Sequence, residues 1–394
     1  MPRMVPPTTA FASAFIAAMI GFGGTVALVV QASQAMGATT GQTISTVTAL
    51  CLGIGLAGGI LSLVMRMPIV LAWSTPGAAL LGASALHLDW ATAIGAFIAA
   101  STLMIVLGLV PALGRLAARI PPAVASAMLA GVLLPFCLAL FQTLGSDLLF
   151  AGIILVSYVL ARQWLPLYAM LTVLAVAFML VLLRGDIAQM NAPQLFGALE
   201  PTMPRFDLQS MASIGIPLFL VTLASQNLPG LVVLRTSGYE APPGPILSVT
   251  GLATLGFAPF GAFGVNLAAI TAALCTSPEA HPDKSRRWQV GIIYAAIYLL
   301  LALFSAPLVA LFLAMPATTI AAIAGVALIS PFGNALHSML QATEHREAAI
   351  LTFAATASGV SLWGIGSAFW GLLIGFSILA LRQVHLRTRR SEPH

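Results

Sequence analysis

Long apolar runs follow one another along this chain, from about residue 9 to about residue 382, with only short polar connections between them. A soluble fold cannot be built from that pattern. Every run would need burial, and too few charged groups would remain to cover the surface. Only 7% of the residues are charged, against roughly 25% in a soluble domain. In lipid the pattern is sensible, because side chains that face lipid should be apolar. A helical crossing needs roughly 20 apolar residues. Backbone groups inside a bilayer must be satisfied within a helix or a closed barrel. The period-2 alternation of a barrel is absent, so the runs read as helices.

The runs give segments at 9–30, 44–65, 68–86, 91–113, 122–143, 148–161, 165–183, 211–233, 245–261, 264–277, 288–312, 317–335, 348–361 and 365–382. The expected fold is an all-α polytopic membrane protein with 14 transmembrane segments. Segments 3 and 10 hold Pro, Gly or polar residues near their starts, which predicts short extended stretches there. The basic residues test the count. With a cytoplasmic N-terminus, every Lys and Arg except Arg184 and Arg205 falls in an inner connection or in the basic tail at 384–394. Arg3, Arg66, Arg115, Arg119 and Arg235 are among them. This is the positive-inside pattern, with both termini cytoplasmic. A miscount of one span would scramble it. Arg3 before an apolar run imitates a signal peptide. The first segment has a partner later in the chain, however, and is read as retained.

That partner belongs to an internal repeat. Leu28-Val29-Val30 matches Leu231-Val232-Val233, Ser45 matches Ser248, and Gly58 matches Gly261. At a nearly equal offset, Pro122 matches Pro316 and Ala130-Gly131-Val132 matches Ala324-Gly325-Val326. An odd number of spans per repeat turns the second repeat upside down. Residues 1–183 and 211–383 are therefore read as 7+7 inverted repeats, joined by a linker at 184–210. Inverted repeats mark secondary transporters, whose substrate sits near the midplane, where discontinuous helices point their N-termini at anionic groups.

Several other classes are excluded. The net charge of +5 comes from scattered basic residues, with no stripe for nucleic acid. Cys51, Cys137 and Cys275 lack metal or disulfide spacing and read as packing residues. Gly21-Phe22-Gly23-Gly24 lies inside an apolar span, without the strand and helix of a dinucleotide loop. No cofactor or metal motif appears, and no nucleophile–base arrangement suggests an enzyme. All 11 acidic residues sit in connections, at span ends or in the tail. A membrane-embedded carboxylate is the usual proton carrier, and none is evident. Glu279 and His281, at the end of segment 10, suit a solvated loop better than proton exchange.

Three stretches are candidates for a substrate site. In segment 3, Ser74 or Thr75 suits a helix cap and Pro76 the first helical position. Free N–H groups around Gly77 and Ala78 would then attract a carboxylate. An ordinary proline kink is the alternative. In segment 10, Asn266 would cap a half-helix, with Thr271 beyond it, and Phe263 would stack on an aromatic ring or face lipid. In segment 8, Ser225, Gln226 and Asn227 cover too wide an arc to face one site. One would bind substrate while another ties helices together, or all would tie helices. Gly24 and its neighbours in segment 1 open space for a ligand or allow close helix packing.

These stretches resemble the benzoate membrane transport protein family, the bacterial benzoate/proton symporters. The resemblance rests on Ala72-Trp73-Ser74-Thr75-Pro76-Gly77-Ala78-Ala79-Leu80-Leu81, on the run from Pro217 to Asn227, and on Ile270 to Cys275 followed by Ser277-Pro278-Glu279-Ala280-His281-Pro282-Asp283-Lys284. Gly364-Ile365-Gly366-Ser367-Ala368-Phe369-Trp370-Gly371 adds a fourth stretch. The resemblance implies an importer of benzoate in a bacterial inner membrane, driven by protons. It also implies distant similarity to nucleobase and anion transporters, with a core (segments 1–4 and 8–11) moving against a gate (5–7 and 12–14). Nucleobase carriers of that kind place acids in segments 8 and 10, where this chain has Ser225, Gln226 and Phe263. That departure suits an anionic substrate and leaves the proton's route open. Other small anions, nucleobase-like substrates and a passive facilitator remain alternatives. Membrane lipid is the expected surrounding, and the oligomeric state, a homodimer included, stays open.

Overall fold

The computed structural model describes residues 6–84, 89–110, 121–186, 194–341 and 343–390. Arg3, Arg115 and Arg119 of the arginine pattern, residues 187–193 of the linker and the last four residues lie outside them. Nearly all the rest is helical. Segment 1 is two helices, Thr8–Gly23 and Val26–Ala35, broken at Gly24 and Thr25. Segments 2, 4, 5, 6 and 7 are Thr40–Met65, Trp90–Leu109, Pro122–Ser146, Leu148–Trp164 and Ala169–Arg184. Segment 8 runs over Leu208–Thr236, and segment 9 is Pro243–Phe257. Segments 12, 13 and 14 are Ala317–Gln341, Arg346–Ala357 and Ser367–Arg390.

Among the described residues, seven helices are long and apolar enough to cross a membrane, and three shorter apolar helices accompany them. Segment 11, expected as one helix over 288–312, is two: Trp288–Leu303 and Ser305–Leu313. The cause is local. Pro307 has no N–H to give, and its ring would clash with the Leu303 carbonyl in a continuous helix. Segment 8 is also irregular. It carries two π turns, Met211–Gly215 and Leu223–Asn227. Each falls close to a proline, Pro217 or Pro229, that removes a regular hydrogen bond. A π turn inserts one extra residue and rotates the helix beyond it.

Segments 3 and 10 have the extended starts that their prolines and glycines predict. Strand β1 (Leu71–Trp73) leads into half-helix 3 (Thr75–Ser84), and β2 (Val265–Leu267) leads towards half-helix 10 (Ile270–Thr276). The strands pair antiparallel, with Leu71 opposite Leu267, Ala72 opposite Asn266 and Trp73 opposite Val265. All six residues are buried. Each strand therefore supplies partners for the other's backbone in a region with no water to do so. Ala268 N–H extends the pairing to Val70 O at 2.9 Å. Glycine makes two approaches to β2 workable. A methyl at Gly230 would lie 2.5 Å from Leu267 Cβ, so segment 8 rests directly on the strand. Gly261 turns the chain into β2 at φ 98°, where a side chain would also strike Thr46.

Charges sit at the ends of the helices. Asp147 caps segment 6 by accepting from Phe150 N–H at 3.1 Å, and it pairs with Arg184 at the end of segment 7. Arg205 pairs with Asp89 at 3.5 Å. The Arg184 hydrogen bond, helped by Phe150 N–H, holds the Asp147 carboxyl below its ordinary value. The folded carboxyl is thus more acidic than the unfolded one. Its contribution to stability is full above the ordinary carboxylate value and is lost as pH falls through the lower folded value. The melting midpoint should fall on acidification through that window, and Asp147→Asn should flatten this part of the profile. Identical pH profiles for the two proteins would show that the pair contributes nothing.

Candidate substrate site

Half-helix 3 begins with a closed cap. Ser74 Oγ accepts from Gly77 N–H at 2.9 Å, and Ser74 O accepts from Ala78 N–H at 2.8 Å. The expectation of a cap at Ser74 holds. The expectation of free N–H groups at Gly77 and Ala78 does not, because the Ser74 hydroxyl takes the first and the Ser74 carbonyl takes the second. Pro76, Gly77 and Ala78 are buried. Thr75 is half-buried, and its hydroxyl is 2.7 Å from that of Thr25, at the break in segment 1. The polar handle at this junction is therefore a pair of hydroxyls. Thr25 was not singled out in the sequence, although its place beside Gly24 in an apolar run was a usable signal. Gly24 lies where a side chain would meet Ile20 O and approach Met170 of segment 7, and Gly23 faces Leu171. Close packing against segment 7 is what Gly23 provides, and Gly24 stands at the break between the two helices of segment 1.

Segment 8 separates its three polar residues. Ser225 Oγ donates to Val221 O at 2.6 Å, within its own helix. Gln226 is half-buried and makes no side-chain hydrogen bond with any described residue. Asn227 is fully buried. Its Oδ1 accepts from Leu267 N–H at 3.0 Å, and its Nδ2 donates to Asn266 Oδ1 at 2.9 Å and to Thr222 O at 3.4 Å. Asn227 thus ties segment 8 to β2, and the Gln226 amide has no side-chain partner among the described residues. The π turn spreads these neighbours in a way that the sequence does not announce.

Segment 10 is packed from both sides. On one side Phe263, 2% exposed, meets Phe97 edge-on at 6.0 Å, so its ring is packed inside the protein and does not face lipid. Asn266 belongs to the strand and does not cap half-helix 10. On the other side Trp73 donates to Gly21 O at 3.0 Å and lies 5.2 Å from the Phe22 ring. Tyr294 donates to Leu71 O at 3.0 Å, and its ring is 4.9 Å from that of Tyr298. Thr271 is buried, on the side where Gly21 faces both tyrosines. The tyrosines had a signal in their spacing, four apart on one helix face.

Half-helix 10 ends on a cation. Buried Arg287 donates to Thr276 O at 2.9 Å and to His281 O at 2.8 Å. A guanidinium there suits the negative end of a helix. Glu279, nearby, is held below the ordinary carboxylate value chiefly by the Ser277 hydroxyl. Near neutral pH it stays ionised, which makes it a poor proton acceptor. Among the described residues, no group of His, Cys, Asp and Glu is arranged to hold a metal.

Relatives of this chain are recognisable among known proteins. The family described as benzoate membrane transport protein matches residues 4–381. An Escherichia coli inner membrane protein, YdcO, is 40% identical over 94% of this chain and 95% of its own length. A benzoate membrane transport protein of Acinetobacter baylyi is 35% identical over 92% of each chain. Two solved structures share the fold at low identity. The transmembrane domain of a cyanobacterial bicarbonate transporter, BicA, superposes with TM-score 0.62 and 16% identity, covering 93% of this chain and 97% of its own. A murine anion transporter of the Solute Carrier 26 family, in its inward-facing state, superposes with TM-score 0.61 and 13% identity, covering 97% and 69%.

Proposed function

The chain belongs to the benzoate membrane transport protein family, and on that premise we propose that it is a secondary active importer of benzoate or a related aromatic carboxylate. The observation that carries this reading is the polar furnishing of the interrupted segments. Thr25 and Thr75 offer paired hydroxyls, Gln226 offers an uncommitted amide, and no acid inside a span opposes an anion. In the proposal the carboxylate meets the hydroxyl pair at the start of half-helix 3, and Gln226 supplies a further donor. Ser74, Asn227 and Asn266 hold the two interrupted segments in place. Protons are imported with the substrate, which carries the proton itself when it enters protonated.

The chain is proposed to fold as 7+7 inverted repeats with both termini cytoplasmic. The antiparallel pairing of β1 with β2, one from each half, supports that symmetry. Core segments 1–4 and 8–11 are proposed to move against gate segments 5–7 and 12–14. Ser213 Oγ, in segment 8, accepts from Gly366 N–H at 2.9 Å, just before segment 14. Such a bond between core and gate must break if the cleft opens at that end. Carrier and passive facilitator differ in counterflow. Proteoliposomes loaded with unlabelled benzoate should transiently accumulate labelled benzoate from outside. Equilibration without that overshoot would make the protein a passive facilitator.

A further inference from the structure

Asn266 poses a problem that its neighbours define. Leu267 N–H fixes the orientation of Asn227, because only the Asn227 oxygen can accept from it, at 3.0 Å. The Asn227 nitrogen must then face Asn266, and it donates to Asn266 Oδ1 at 2.9 Å. That fixes Asn266 in turn. Its Nδ2 points away from the pair, buried and without a partner among the described residues, and the residue is only 3% exposed. Leaving such a donor unmet is costly.

Space lies beside it. A cavity of about 10 Å³ is lined by Ser101, Met104, Thr222, Thr254, Gly264 and Asn266, among others. The Asn266 nitrogen is 2.9 Å from where a Gly264 Cβ would stand. Ser101 donates to Ile98 O and Thr222 to Phe219 O, so both hydroxyl oxygens keep lone pairs free to accept. One water needs about this much room and two to four polar partners. A cation is excluded, because the group requiring a partner is a donor. Benzoate is far too large.

We infer that this cavity is a binding site for a single water, which accepts from Asn266 Nδ2 and donates to the hydroxyls of Ser101 and Thr222. The water joins β2 to segments 4 and 8 and completes the network begun at Asn227. The site lies among segments 4, 8, 9 and 10 and is independent of the substrate proposed above.

Radiolytic hydroxyl labelling of the full-length protein in nanodiscs tests this. Radicals generated from a bound water oxidise side chains that bulk water does not reach. Met104, 4% exposed, lines the cavity, and Met128, fully buried elsewhere, is the internal control. Met104 should oxidise several-fold faster than Met128. Gly264→Ala, whose methyl would stand 2.9 Å from the Asn266 nitrogen and crowd the cavity, should bring Met104 down to the control rate. Equal rates in the parent protein would overturn the inference, and so would Met104 labelling that persists in folded Gly264→Ala. If that variant does not fold, a high-resolution density map decides: a peak within hydrogen-bond distance of Asn266 Nδ2 supports the site, and a bare cavity refutes it.

Discussion

Asn227→Ala should unfold well below the parent protein and lose transport as a consequence. The substitution strips Leu267 N–H and Asn266 Oδ1 of their partners in a region without bulk water. Each buried group left unmet costs about 1–3 kcal/mol, so the loss should be roughly 2–6 kcal/mol. Asn227→Asp separates the two bonds. It keeps an acceptor for Leu267 N–H but removes the amide that donates to Asn266, and it buries a carboxyl. It too should melt early. Melting in nanodiscs, followed beside uptake, distinguishes this role from substrate contact. An Asn227→Ala protein that melts like the parent yet fails to transport would place Asn227 against the substrate.

The opposite signature is expected at the hydroxyl pair. Thr25→Val and Thr75→Val keep the shape of each side chain and remove only the polar atom. A hydrogen bond to a charged group contributes about 1.5–3 kcal/mol, and 1.4 kcal/mol is tenfold in affinity. Each variant should therefore weaken benzoate competition by roughly ten- to a hundredfold, with a smaller melting loss than Asn227→Ala because only the one hydroxyl contact is broken. Gln226→Ala should act in the same direction, because that amide has no partner among the described residues to lose. Unchanged competition in the Thr25→Val/Thr75→Val double variant would remove the carboxylate from this junction.

The helical, membrane-spanning character of the chain was legible because a bilayer imposes a simple rule, and apolar runs of helical length report it directly. The extended starts of segments 3 and 10 were legible for a local reason: Pro76 and the glycines around Phe263 disfavour helix whatever surrounds them. Pro307 carried an equally local signal, and it breaks segment 11 where a single helix was expected. The fate of the polar side chains was less accessible. Ser225, Gln226 and Asn227 look alike in an apolar run, yet one bonds its own helix, one stays open and one is committed to β2. Their roles depend on a π turn and on a strand forty residues away. The same is true of Gly77 and Ala78, whose amides are taken by the hydroxyl and the carbonyl of Ser74. Asn266 shows the limit most clearly, since the direction of its amide is set only by the three-dimensional chain through Asn227 to Leu267 N–H.

Uptake by purified protein bears most directly on the assignment. Proteoliposomes with an alkaline lumen and an acidic exterior should accumulate radiolabelled benzoate above its external concentration, with saturation. Other aromatic carboxylates should compete, and a protonophore should abolish the accumulation beyond that of protein-free vesicles. Benzoate entry that does not saturate, or that matches protein-free vesicles under the same gradient, would contradict a benzoate carrier.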